Sequence, residues 1–161
     1  GIDLGEIVES RILPSHLRQK DKDDKLGILD VRVLLNNKEQ IDIEIQVTAS
    51  EYWAERTLFY LGKMFTDQLK PGEDYQKLEK CIHIGILNFT MFEDEEYYSC
   101  FHFWSDQGRK MYSDKVEIHT LELPKLAKYE YPETELLKWL QFINAESKEE
   151  FEMAAEKMRI Y

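Results

Sequence analysis

At 161 residues the chain is long enough for one domain with a real core and too short for two comfortable ones. Hydrophobic residues make up 43% and aromatics 12%, which argues against disorder, and a formal net charge of −11 argues against a broad basic surface that holds nucleic acid by phosphate neutralisation. No apolar run reaches membrane-spanning length, no signal peptide opens the chain, and two cysteines, Cys81 and Cys100, fit a reducing cytoplasm better than a disulfide scaffold.

Residues 6–13 form a modest β-like run closed by Pro14, followed by an exposed charged loop, RQKDKDDK. Two strands are predicted over 27–35 and 40–48, linked by NNKE, a hairpin turn in which Asn tolerates positive φ. From 49 to 69 the period changes to that of a helix, with Trp53, Leu58, Leu61, Phe65 and Leu69 on one face, Ser50 as N-cap, and Pro71-Gly72 as the stop. KCIHIGILNF reads as a well-buried strand, and YYSCFHFW and KVEIHTLEL as two more. The C-terminal part turns helical in PETELLKWLQFIN and SKEEFEMAAEKMRIY, each opening on a capping residue and early acids. The sum is a mixed α/β domain.

The stretch KLGILDVRVLLNNKEQIDIEIQV places acids inside two otherwise apolar strands. Residues two apart share a strand face, so Ile41, Ile43, Ile45 and Val47 point one way and Asp42, Glu44 and Gln46 the other. Folding the hairpin around Asn37 pairs Val31 with Ile43, Arg32 with Asp42, Val33 with Ile41 and Asp30 with Glu44. Two carboxylates that close repel unless a cation, a proton or a basic neighbour lies between them. Two readings stand side by side: a divalent metal site, or charges on the outer face of an ordinary strand with Arg32 or Lys25 neutralising Asp30.

DDKLGILDVRV and IDIEIQ, then RTLFYLGKMFTDQLKPGEDY, IHIGILNF, MFEDEEYYSCFHF and EIHTLELPK, run in order over most of the chain. Together they resemble the recombination-promoting nuclease and putative transposase group of the PD-(D/E)XK nuclease superfamily. The resemblance implies a restriction-endonuclease-like fold over 1–161, a central mixed sheet flanked by helices and starting with an antiparallel hairpin. It implies that Asp30 and Glu44 hold Mg²⁺, with Mn²⁺ as the alternative, and that the backbone carbonyl between Glu44 and Gln46 is a further ligand. Gln46 stands where many superfamily members carry lysine, so it can orient a water or phosphate oxygen but cannot supply lysine's charge. On the following helix Arg56, Tyr60 and Lys63 lie at helical spacing and are candidate phosphate contacts; the competing reading leaves Arg56 and Lys63 solvated and Tyr60 in the core. Members of the group usually carry a helical segment ahead of the first strand that brings a further acid, and the expectation here is a nuclease core without it.

Cys81-x-His83 and Cys100-x-His102 each set a thiol and an imidazole on one strand face, four zinc-type ligands if those strands are neighbours, though core packing is the commoner use. His119 reads as structural. FEDEEYY lacks the alternating ligands of a calcium loop and reads as a solvated turn, and Trp139, Leu140, Phe142 and Ile143 as a helical packing stripe. The function expected is Mg²⁺-dependent hydrolysis of DNA phosphodiesters in recombination or transposition, in a cytoplasmic protein with DNA and no membrane as partner and self-association left open. The rival is a nuclease-like fold kept as a binding or assembly module without catalysis, supported by the net charge, the absent upstream helix and Gln46.

Overall fold

Ile41, Ile43 and Ile45 alternate with Asp42, Glu44 and Gln46, a period of two that an extended strand converts into two distinct faces. This run is β3 (Glu39–Gln46), an interior strand of the sheet. The computed structural model describes residues 7–14, 31–36 and 38–158. Within them β1 (Ser10–Leu13), β2 (Val31–Leu35), β3, β4 (Cys81–Leu87), β5 (Tyr98–Trp104) and β6 (Met111–Glu122) form one sheet in the order β1-β2-β3-β4-β6-β5. Helices α1 (Trp53–Thr66), α2 (Leu123–Leu126), α3 (Glu135–Ile143) and α4 (Lys148–Met158), with a 3-10 turn at Tyr75–Lys77, complete the described elements. This is the mixed sheet with flanking helices expected from the sequence, and it starts with an antiparallel pair.

The β2–β3 hairpin has the register that face matching predicts: Val31 opposite Ile43, Arg32 opposite Asp42, Val33 opposite Ile41. Asn36 takes φ 50, the left-handed conformation that asparagine tolerates in a turn. Its backbone N–H donates to the Glu9 carbonyl, and its side-chain oxygen accepts from the Val8 and Glu9 amides, which seats the approach to β1 beside the hairpin. The charged loop, Glu6, Lys25 and Asp30 lie outside the described residues.

From β3 the chain crosses through α1 to β4, which pairs with β3 in parallel; β4 then pairs with β6 in parallel, and β5 closes the sheet antiparallel to β6. Parallel strands in the middle of a sheet are covered on both faces, and β4 is buried along nearly its whole length as its apolar run predicts. On one face Ile86 and Leu121 pack with Leu123 of α2 and Leu140 of α3. On the other, Cys81 packs under Tyr60, Leu61 and Met64 of α1. Each buried aliphatic side chain contributes about 1.5–3 kcal/mol, so the two small cores fix the sheet from both sides.

Of the two readings of the β3 alternation, the ordinary strand with a charged outer face does not hold. Asp42 and Glu44 are 1% and 3% exposed, whereas Ile45 is 49% exposed and Val47 67%. The reason is α1, which lies over the acidic face. The helix also differs in detail from its sequence expectation. Its buried residues are Trp53, Thr57, Tyr60, Leu61 and Met64, while Leu58 is exposed. Tyr52, not Ser50, is the N-cap, and no side chain caps it; Ser50 offers only its carbonyl, to the Trp53 N–H at 3.3 Å. The predicted caps of the C-terminal helices hold: Thr134 Oγ1 accepts from the Leu137 amide and Ser147 Oγ from the Glu150 amide.

The acidic turn after β4 is anchored from below. Lys125, 2% exposed, donates to Glu122 Oε2 at 3.0 Å, Asp94 Oδ1 at 2.8 Å and the Glu96 carbonyl at 2.9 Å. Glu122 Oε1 in turn accepts from the Met91 and Phe92 amides. The clamp thus holds the turn through the Asp94 side chain and the Glu96 carbonyl.

Candidate active site

Three strand positions under α1 converge. The parallel register sets Asp42 beside His83 and Glu44 beside Gly85, so two acids of β3 and one imidazole of β4 share the covered face. Asp42, Glu44 and His83 each offer a donor atom, and the three donors lie within 4.8 Å of one another, all on buried residues.

His83 Nδ1 is 2.7 Å from Asp42 Oδ2. With Asp42 ionised, Nδ1–H is the donor, which leaves Nε2 as the lone-pair nitrogen. Among the described residues neither His83 Nε2 nor Asp42 Oδ1 has a hydrogen-bond partner, although both are buried. Orphaned acceptors of this kind are costly in an apolar interior and are common where an ion or water belongs. Two carboxylates and one imidazole are a chemically competent donor set for a divalent cation of the Mn²⁺ type, and a carboxylate that orients a histidine ring is a recurrent support for a metal ligand.

Gly85 makes the packing above the site possible. A Cβ there would stand 2.9 Å from Trp53 Cζ2 and 3.4 Å from His83 Nε2. Trp53 is buried and lies against the His83 ring, centroids 5.8 Å apart. Glycine on β4 therefore lets the first residue of α1 rest on the imidazole and close one side of the cluster.

On the helix side, Arg56 Nη2 donates to Glu44 Oε1 at 2.5 Å, and its guanidinium carbon sits 5.6 Å from the Tyr60 ring centre. Arg56, read from the sequence as either a candidate phosphate contact or a solvated residue, here bonds the carboxylate, with 43% of its side chain exposed. Tyr60 belongs to the α1 core and Lys63 is half-buried on the same helix. Gln46 points to the Glu44 side of β3, where its Nε2 donates to the Thr48 carbonyl at 2.8 Å. Asp30 lies outside the described residues, so of the expected acidic pair the structure places Glu44.

Asp42 and His83 are the members that sequence reasoning did not assign to the site. Asp42 was visible as the i−2 neighbour of Glu44 on its face. His83 became a partner only through the β3–β4 register. The zinc grouping of Cys81, His83, Cys100 and His102 does not form, because β6 stands between β4 and β5 and the two Cys-x-His pairs face opposite sides of the sheet. Burial pushes the Cys81 thiol up to about 12, so it remains protonated, and its sulfur accepts from Gln68 Nε2.

No described helix is long and apolar enough to cross a membrane. Neither a curated protein nor a solved structure matches the chain. The sheet with its covered acidic face agrees with a family-model match: the model of PD-(D/E)XK nuclease family transposases covers residues 2–160, and the chain belongs to that family.

Proposed function

We propose that residues 1–161 act as one metal-dependent DNA endonuclease unit serving recombination or transposition. The observation that carries this reading is the buried convergence of Glu44 with Asp42 and His83 on the α1-covered face of β3 and β4. Glu44 and Asp30 would hold the ion, with Asp42 and His83 beside Glu44; the imidazole favours Mn²⁺ over the strictly oxygen-seeking Mg²⁺. When bound, the cation supplies a polarised water and charge stabilisation at the scissile phosphate. Asp42 fixes the ring orientation of His83. Gln46 orients a water or a phosphate oxygen with its amide. Arg56, which lies over the Tyr60 ring, would turn from Glu44 toward a phosphate once the carboxylate is engaged elsewhere, and Lys63 adds a second positive charge two turns along the helix.

The rival reading, a nuclease fold retained as an assembly module, is favoured by the Arg56–Glu44 pair, which neutralises the carboxylate without an ion, and by the net charge of −11, which opposes DNA binding. Calorimetric titration of Mn²⁺ into the native chain, Asp30→Asn and Glu44→Gln, followed by nicking of supercoiled plasmid with and without EDTA, separates the two. The nuclease reading expects binding in the native chain, its loss in both variants, and nicking that EDTA stops. Native protein that binds no Mn²⁺, or variants that bind it unchanged, would sink it.

A further inference from the structure

A second cluster of metal-type donors lies on the opposite face of the sheet, at the β5–β6 ladder. His119 pairs across the ladder with Cys100, and Glu117 lies two residues before His119 on the same face of β6. His102 follows Cys100 by two on β5 and reaches Glu117. The result is a two-by-two block: thiol and imidazole on one strand, imidazole and carboxylate on the other. Across the sheet Glu117 and His119 stand in register with Ile82 and Ile84, away from His83 and the nuclease-type acids.

The distances suit a shared ion. Cys100 Sγ is 3.8 Å from both His119 Nε2 and His102 Nδ1. His119 Nε2 is 3.2 Å from Glu117 Oε2, and His102 Nε2 is 3.1 Å from Glu117 Oε1. Donors in a tetrahedral zinc shell stand about 3.5 Å apart, as metal–sulfur and metal–nitrogen bonds of about 2.3 and 2.0 Å require. Lys80 Nζ lies 2.7 Å from Oε1 of Glu117. Lys80 and His102 thereby engage one carboxylate oxygen, and His119 faces the other. Tyr98 Oη, 2.9 Å from His119 Nδ1, provides the outer-sphere partner that a ligating histidine ordinarily has.

A buried carboxylate ringed by Lys80, His102 and His119 is a sufficient structural ion pair, and that part alone needs no cation. Cys100 exceeds it. Its side chain is exposed, fills no core, and yet stands between two imidazole nitrogens. Among the described residues the full mutual approach within 4.8 Å is reached only by Asp42, Glu44 and His83. Closing the second shell takes a turn of the Cys100 side chain about its one torsion, for which its exposure leaves room.

We propose that Cys100, Glu117 and His119, supported by His102, form a site for a thiolate-binding divalent cation such as Zn²⁺. Binding displaces the thiol proton to solvent and the proton on His119 Nε2 to Nδ1 or solvent, and Tyr98 accepts from Nδ1–H. The site is independent of the nuclease reading, because no residue is shared.

Co²⁺ is the probe, since a cobalt–thiolate bond gives a near-ultraviolet charge-transfer band and tetrahedral cobalt gives visible bands. Co²⁺ should produce both in the native chain and in Glu44→Gln, and Zn²⁺ should displace it. Cys100→Ser, an exposed and conservative change, should abolish the charge-transfer band with an unaltered circular dichroism spectrum, and His102→Gln should weaken affinity about 10–100-fold. Absence of a thiolate band in the native chain, or a band that survives Cys100→Ser, overturns the proposal.

Discussion

Arg56→Met tests the electrostatics of the candidate active site directly. The guanidinium sits on Glu44 Oε1 at 2.5 Å, and an incoming cation on that carboxylate competes with it. Two unit charges about 4 Å apart attract by roughly 4 kcal/mol at an effective dielectric of about 20. Because 43% of the Arg56 side chain is exposed, solvent screening reduces the net pair to about 1–2 kcal/mol. Removing it should tighten Mn²⁺ binding roughly 5–30-fold, at about 1.4 kcal/mol per factor of ten. Without metal the same variant should be less stable by about 1–3 kcal/mol, because Glu44 loses a charged donor in a buried position. Calorimetry gives the first number, and urea unfolding with and without Mn²⁺ gives the second; the metal-induced gain in stability should exceed that of the native chain. On the proposed function plasmid nicking should fall despite the tighter ion, since the proposed phosphate contact is gone. Mn²⁺ affinity that is unchanged or weaker in Arg56→Met would refute the competition argument.

Gly85→Ala should cost about 1–3 kcal/mol in urea unfolding and change Trp53 fluorescence, because the new Cβ meets a buried indole at 2.9 Å. Lys125→Met should cost about 3–5 kcal/mol, as it strands Glu122 and releases Asp94 and the Glu96 carbonyl, and amide exchange over residues 91–97 should accelerate. Acid should weaken the β5–β6 end of the sheet: burial opposes ionisation of Glu117, but hydrogen bonds from Lys80, His102 and His119 hold its carboxyl down at about 2. A folded value below the unfolded one means stability that is present above roughly pH 4.5 and lost as pH falls toward 2, worth at most about 3 kcal/mol, and Glu117→Gln should flatten that part of the stability–pH curve.

The hairpin was legible in the sequence because parity is strict: Val31, Val33, Ile41 and Ile43 match in one set of registers, and the turn asparagines choose among them. Which face would be covered was not legible. Isoleucines against acids read as inside against outside, and nothing local to β3 says that α1 returns over the acids, a fact fixed by the crossover to β4. Glu44 and Arg56 could each be singled out from the sequence, but their bond could not. His83 had been weighed with Cys81 and Cys100, and the order β4-β6-β5 separates what sequence spacing had grouped. Trp53 resting on Gly85 leaves no trace in composition or period, since glycine in a strand looks like a simple weakness until its neighbour is known.

The β3–β4 ladder carries an evolutionary consequence. Because backbone hydrogen bonds set the spacing of positions 42, 44 and 83, their coordinates hardly depend on which side chains occupy them. A substitution at one of them edits a letter and leaves the address intact, so the proposed activity could be switched off by single exchanges while the sheet and both cores persist. Lineages that lose the chemistry would keep the architecture, ready for other use, and the reverse path back to a working site would be equally short.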